Sequence, residues 1–244
     1  MTTLVVGASG STGKHLVDRL LETGHTVKVI VRSTARIPKN WKNNDAAHII
    51  EANVLDISED EMAEHVKDCT AVASCLGHNI TRKGLFGEPK KLVTDAVILL
   101  CNAIKKNEAD EPIRFALMNT TANLNRDLNE PNSIGQRITT SLLRLLLPPH
   151  VDNEKAADFL RTKIGQDNDF IEWVAIRPYG LIDEDVPSEY EVHSSPSRPA
   201  MFDPRKTRRI NVGHFMAELM TNSEIWNKWK GQMPVILDRT EQNS

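Results

Sequence analysis

The sequence predicts an α/β domain built on a parallel sheet, and three observations lead there. A short apolar run, Leu4–Val6, breaks into Gly7-x-x-Gly10-x-x-Gly13 and resumes as a helical pattern. Strand-like and helix-like runs then alternate along most of the chain. The second strand ends in Arg32, about twenty residues beyond the glycines, where a dinucleotide site reads the ribose of its ligand.

The first strand, glycine turn and helix form a cradle for a pyrophosphate. Gly7 allows a sharp turn, Gly10 lets backbone approach a phosphate, and Gly13 lets the helix pack closely on the strand. The helix start adds unpaired N–H groups near Ser11 and Thr12 and the positive end of its dipole. Gly7, Ser9, Gly10, Ser11, Thr12 and Gly13 are therefore candidate cofactor ligands. Leu16, Val17, Leu20 and Leu21 fall at helical spacing over Lys14–Thr23, Gly24 follows as a C-cap, and His25–Val31 reads as the second strand. No acid follows that strand. Arg32-Ser33-Thr34-Ala35-Arg36 instead offers two guanidinium forks and two hydroxyls, a cage for a 2′-phosphate dianion, so Arg32, Ser33 and Arg36 favour NADP (NADPH) over NAD.

Ala47–Ile50 is a third strand, followed by Asn53 and Val54, and Ser58 caps a helix that opens with Glu59-Asp60-Glu61. Thr70–Cys75 is the fourth. Its carboxyl end brings Ser74, Cys75, Leu76 and Gly77 to the ligand crevice. His78 is either an acid–base group or a surface histidine of the following loop. Pro89–Lys106 is an amphipathic helix with Leu92, Val93, Ala96, Val97, Leu100 and Ile104 on one face. Ile113–Met118 is the fifth strand, ending in Asn119-Thr120-Thr121, whose polar groups either touch a ligand or cap a turn.

Residues 124–148 break the alternation with a helical insert, Ile134–Leu147, carrying Ile138, Leu142, Leu145 and Leu146, which Pro148-Pro149 stops. Asp152 is placed to cap the helix that follows, Phe170–Ile176 is the sixth strand, and Arg177-Pro178-Tyr179-Gly180 ends it. Residues 183–207, rich in Pro, Ser and charge, read as a lid-like loop, and Arg205–Arg209 as a solvated basic cluster. Asn211 is placed to cap a last helix, Pro234–Leu237 is a candidate final strand, and Trp226 and Trp229 share a face as local packing.

Composition bounds these readings. The chain has 244 residues, 40% apolar and 26% charged, with a formal charge of −3. That length fits a single domain over residues 1–244, and that charge gives no global attraction to nucleic acid or an anionic membrane. No apolar run approaches the roughly 18–20 residues that span a bilayer. A first strand beginning at Thr2 leaves no room for a secretory signal, and Cys69, Cys75 and Cys101 are odd in number without Cys-x-x-Cys spacing. A cytoplasmic protein with reduced thiols, no metal and a small-molecule substrate is expected.

Together these motifs resemble the short-chain dehydrogenase/reductase superfamily, in its atypical branch of NAD(P)H-binding proteins that includes biliverdin/flavin reductase-like enzymes and NmrA-like regulators. The glycine motif and Arg-ended second strand carry the resemblance first. Glu51-Ala52-Asn53-Val54-Leu55-Asp56 is similar to the branch's Gly-Asp-Val-Leu-Asp stretch, with Asn53 where an Asp contacts adenine. Asn119-Thr120-Thr121, Glu154-Lys155-Ala156 and Trp173–Pro178 extend it over about residues 2–223, the insert excepted. The resemblance implies a Rossmann-type doubly wound parallel sheet with small carboxy-terminal segments forming the substrate pocket. It also implies Lys155 as the lysine of Tyr-x-x-x-Lys, but Val151 stands at the tyrosine position and the chain's tyrosines are Tyr179 and Tyr190. Tyrosine-driven carbonyl reduction is thereby disfavoured, as is an epimerase-like use of bound NADP. The implied activity is NADPH-dependent hydride transfer to a small conjugated or aromatic acceptor such as a quinone, flavin or tetrapyrrole. Thr120, Lys155 or His150 are candidates to assist, and Tyr179 to line the pocket. The alternative is a non-catalytic NADP(H) sensor that binds a protein partner.

Overall fold

The computed structural model describes residues 1–78, 87–200 and 203–239, with the side chain of Arg36 outside that description. Ten strands are described: β1 (Thr2–Val6), β2 (Thr26–Val31), β3 (Ala47–Glu51), β4 (Ala71–Ser74), β5 (Ile113–Met118), β6 (Ile171–Pro178), β7 (Gly180–Ile182), β8 (Tyr190–His193), β9 (Lys206–Arg208) and β10 (Val235–Asp238). The helices between them are α1 (Gly13–Glu22), α2 (Lys39–Lys42), α3 (Glu59–Val66), α4 (Leu92–Lys106), α5 (Ile134–Leu146), α6 (Pro148–Phe159), α7 (Arg209–Thr221) and α8 (Ser223–Trp229). The main sheet runs β3-β2-β1-β4-β5-β6-β10-β8, and each pair is parallel except β10 with β8. This is the parallel α/β fold that the alternation predicts, in the doubly wound, Rossmann-type arrangement that the resemblance implies.

Successive side chains of a strand point to opposite faces, so a sheet covered on both sides needs apolar residues at nearly every strand position. Leu4, Val6, Val72, Phe115 and Leu117 join one core with α3, α4 and α6, while Val5, Ala71, Ala73 and Ala116 join another with α1 and α7. On the second face α7 lies tight against α1 at Gly213. A Cβ there would sit 2.7 Å from the Cβ of His15 and 2.8 Å from the amide nitrogen of Leu16.

Several local expectations are corrected. Asp152 lies inside α6, which starts at Pro148-Pro149, where missing N–H groups cost nothing; its carboxylate caps α4 instead, accepting from the Val93 and Thr94 N–H groups at 2.8 and 2.9 Å. Asn211 is buried within the first turn of α7, donating to Asp238 Oδ1 at 2.8 Å and accepting from the Ser188 N–H. Residues 183–207 are no free lid, because they supply β8 at the sheet edge and most of β9, which pairs with β7. Nor are Arg205–Arg209 a solvated cluster. Arg205 is bound to Asp203, Arg208 to Asp238 and Arg209 to Asp183.

The insert helix α5 turns its sequence pattern inside out. Gln136 and Thr140 are buried, while Ile134, Ile138, Leu142, Leu145 and Leu146 are exposed. The loop leading to α5 is anchored by a buried pair. Arg177 Nη2 donates to Glu130 Oε1 at 2.6 Å and Nη1 to Oε2 at 2.9 Å, and the guanidinium also donates to the carbonyls of Met233 and Asn123.

Candidate dinucleotide site

In a parallel sheet every carboxyl end faces the same edge. Val6 pairs with Ile30 and with Ser74, Ser74 with Leu117, and Met118 with Ile176, so the strands finish in one line. Gly7, Arg32, Asn53, Cys75 and Asn119 follow those ends. The order β2-β1-β4 places Gly7 where the winding reverses, the crevice in which open α/β sheets take their ligands.

The glycines act through close approach. Gly7 has φ +75°, and a Cβ on it would lie 2.6 Å from the carbonyl carbon of Cys75. A Cβ on Gly13 would lie 2.2 Å from the Gly7 oxygen, so only glycine lets α1 start this near β1. Gly10 closes the turn, its N–H donating to the Gly7 carbonyl at 3.0 Å. Ser9, Gly10 and Ser11 are exposed, Thr12 is buried as N-cap of α1, and no acid occupies the first turn. Among the described residues the Ser11 and Thr12 N–H groups have no acceptor. Open donors at a helix N-terminus, flanked only by the small side chains of Ser9 and Ser11 and by Gly10, suit a pyrophosphate.

Arg209, which by sequence belongs to a solvated basic cluster, is a neighbour of this loop. Arg209 Nη1 donates to Thr12 Oγ1 at 3.4 Å, and its Nε lies 3.0 Å from Asp183 Oδ1. The close α1–α7 contact at Gly213 brings it there across 197 positions, a distance no local pattern spans.

Around the rim, Arg32 is exposed and forms no ion pair among the described residues, while the Ser33 hydroxyl accepts the Ala35 N–H at 3.3 Å and so caps its own turn. Asn53 is exposed and Val54 buried beneath it. The Cys75 thiol faces the core, 3.8 Å from the Met216 sulfur, and burial pushes it up to about 12, so Cys75 meets the crevice by backbone alone. Leu76 is half-buried and Gly77 exposed.

The hydroxyls of the candidate catalytic residues are engaged locally. Asn119 donates its amide to the Asn153 carbonyl at 2.9 Å, tying β5 to α6. The Thr120 hydroxyl accepts from the Ala122 N–H at 3.2 Å, a turn cap. Tyr179 is buried in a cluster with Ala200, Val235 and Leu237, and its hydroxyl accepts from Arg205 at 3.1 Å; burial raises its pKa above the ordinary phenol value. Lys155 is exposed and lines a cavity of about 240 Å³ with Lys90, Lys91, Arg144 and Val151. His150 lies buried 3.6 Å from Glu154, whose carboxylate Arg144 holds through two 2.8 Å bonds, and burial lowers the imidazole pKa.

His78, by contrast, is not a surface histidine. Its Nε2 lies 2.8 Å from Asp152 Oδ2, with the two side chains 6% and 0% exposed. Three donors thus converge on the Asp152 carboxylate, and with a carboxylate as partner the Nε2 of His78 is the protonated nitrogen. This dyad stands just beyond the β4 end, joining the crevice to the N-terminus of α4.

The profile of the NAD(P)H-binding family matches residues 7–223. The chain belongs to that family. It is similar to an uncharacterized chloroplastic protein of Arabidopsis thaliana, 34% identical over 71 residues, a match spanning 29% of this chain and 25% of that protein. Among solved structures it resembles the oxidoreductase ylbE of Lactococcus lactis (18% identity, TM-score 0.69, 98% of this chain and 91% of that one). A second is the anaerobillin reductase ChuY of Escherichia coli O157:H7 (13%, 0.68, all of both chains at 100%). A third is a short-chain dehydrogenase/reductase of Veillonella parvula in complex with NADP (13%, 0.69, 100% and 96%). At these identities the structures speak for the fold, and the family match for the cofactor class. No described helix is long and apolar enough to cross a membrane.

Proposed function

We propose that the protein is an NADPH-dependent oxidoreductase that passes a hydride to a small conjugated or aromatic acceptor. The observation that carries NADPH is Arg32, exposed, unpaired among the described residues, and placed at the β2 end where a 2′-phosphate would lie. Gly7–Gly13 and the start of α1 would hold the pyrophosphate, and Arg209 would add a cation beside it. The residues therefore fit a dinucleotide. The bound nicotinamide would supply the hydride.

What this chain adds is position and a proton. Reducing such an acceptor by two electrons takes one hydride and one proton. With Val151 at the tyrosine position and the Thr120 and Tyr179 hydroxyls engaged elsewhere, the proton would come from His78, held by Asp152, or from water. Lys155 and its basic cavity would favour an acceptor carrying negative charge.

The missing tyrosine also favours a second reading, a non-catalytic NADP(H) sensor. The two are separated by following NADPH oxidation with quinones, flavins and conjugated carbonyls. Turnover that His78→Asn lowers while NADPH binding stays unchanged supports the oxidoreductase with His78 as proton donor. Tight NADPH binding with no turnover across all three classes supports the sensor.

A further inference from the structure

We propose that α5 docks the protein onto an anionic lipid surface. This inference stands apart from the reaction proposed above. The helix exposes Ile134 (76%), Ile138 (58%), Leu142 (51%), Leu145 (79%) and Leu146 (59%), residues that recur on one side at helical spacing, while Gln136 (1%) and Thr140 (4%) face the body of the protein. A globular helix ordinarily turns these two sets the other way. The result is an exposed apolar face about 20 Å long at the usual helical rise.

The charge beside this face names its occupant. Arg137 and Arg144 lie seven positions apart on the same flank of the stripe, and from Pro131 to Val151 the sequence contains no acidic residue. Beyond Arg144 the cavity wall adds Lys90, Lys91 and Lys155. Arg137, Lys91 and Lys155 form no ion pair among the described residues, whereas Lys90 has Glu88 at 3.9 Å. Glu88 is the exposed acid nearby, and two others face inward. Asp152 is wholly buried under its three donors, and Glu154, 8% exposed, is held by Arg144. A chain of net charge −3 thus carries Arg137, Lys91 and Lys155 without an ion pair among the described residues beside this exposed apolar stripe, while Arg144 and Lys90 already have carboxylate partners.

An apolar helix face flanked by Lys and Arg is the chemistry that seats a helix at the boundary of an anionic leaflet, the side chains entering acyl chains and the cations meeting phosphates. A second copy is a poorer match. A two-fold contact would bring the two Arg137 side chains to one apolar seam, and α5 itself carries no carboxylate to meet them.

The test is co-sedimentation of the full chain with phosphatidylcholine vesicles carrying about one third phosphatidylglycerol, against pure phosphatidylcholine. The anionic vesicles should bind at least about tenfold more tightly, since each basic residue near such a surface adds a several-fold preference. High salt should release the protein, and Arg137→Gln should weaken it. Leu142→Gln/Leu145→Gln should abolish vesicle binding while circular dichroism and NADPH binding stay unchanged. Failure to bind anionic vesicles, equal binding to neutral ones, or binding that survives the double variant overturns the proposal. A dimer in analytical ultracentrifugation that the double variant splits overturns it in favour of a second copy, and a co-purifying acidic protein released by that variant in favour of a protein partner.

Discussion

Replacing Glu130 by Ala removes one half of a buried ion pair and leaves the other half in place. Arg177 is 0% exposed at its side chain and Glu130 2%, so water cannot reach the stranded guanidinium. Two charge-assisted bonds, at 2.6 and 2.9 Å, disappear, and the Asn125 N–H loses the acceptor it holds at 2.8 Å. The carbonyls of Met233 and Asn123 still accept from Arg177, but they cannot neutralise its charge. Breaking a buried pair in this one-sided way costs about 3–5 kcal/mol. For a domain of this length each kcal/mol moves the melting temperature by about 2–4 °C, which makes the expected fall roughly 6–20 °C. Thermal unfolding followed by circular dichroism reads it directly. A double-mutant cycle with Arg177→Met should show strong coupling, the double variant being less destabilised than the sum of the two single changes. A fall under about 3 °C for Glu130→Ala would mean that the pair is open to solvent and that the β5–α5 loop is anchored by something else.

Two further outcomes follow from the same geometry. Arg209→Gln should weaken NADPH and NADH alike, by about tenfold if one charge-assisted bond is lost, because Arg209 stands beside the Thr12 cap common to both cofactors; isothermal titration measures this, and a selective loss of NADPH would place Arg209 at the 2′-phosphate instead. Acidification should destabilise the fold. Burial holds the pKa values of His150 and His214 below the ordinary imidazole value of about 6.5, so between their folded values and that value the unfolded chain binds more protons. Stability therefore rises with pH through this window and levels off above it. The melting temperature should drop as pH falls from about 7 towards 5, and His214→Gln should flatten the slope.

Local signals were readable from the chain wherever neighbours in sequence are neighbours in space. Ile113–Met118 is a strand in both readings, Ser58 accepts the Glu61 N–H as its spacing predicts, and Gly7 and Gly13 stand where any side chain would collide with backbone. The rest depended on contacts across the chain. Asp152 looks like the cap of its own helix, yet its carboxylate meets the N-terminus of α4, 58 and 59 residues away. His78 reads as a loop residue because the Asp152 that holds it lies 74 positions on. Arg209 is one of several basic residues in sequence, and only the α7–α1 contact at Gly213 distinguishes it. The apolar period of α5 identified the helix but not which way its stripe faces, since periodicity gives a face and tertiary packing chooses its direction.

The preference for NADPH rests most heavily on Arg32. Fluorescence titration of the purified chain with NADPH and with NADH, for the natural protein and for Arg32→Glu, tests it directly. Charge-assisted bonds to a 2′-phosphate are worth about 1.5–3 kcal/mol, so the natural protein should bind NADPH at least about tenfold more tightly than NADH. Arg32→Glu should erase that preference while leaving NADH affinity nearly unchanged. Equal or tighter binding of NADH by the natural protein, or an equal loss of both cofactors in the variant, would contradict the account.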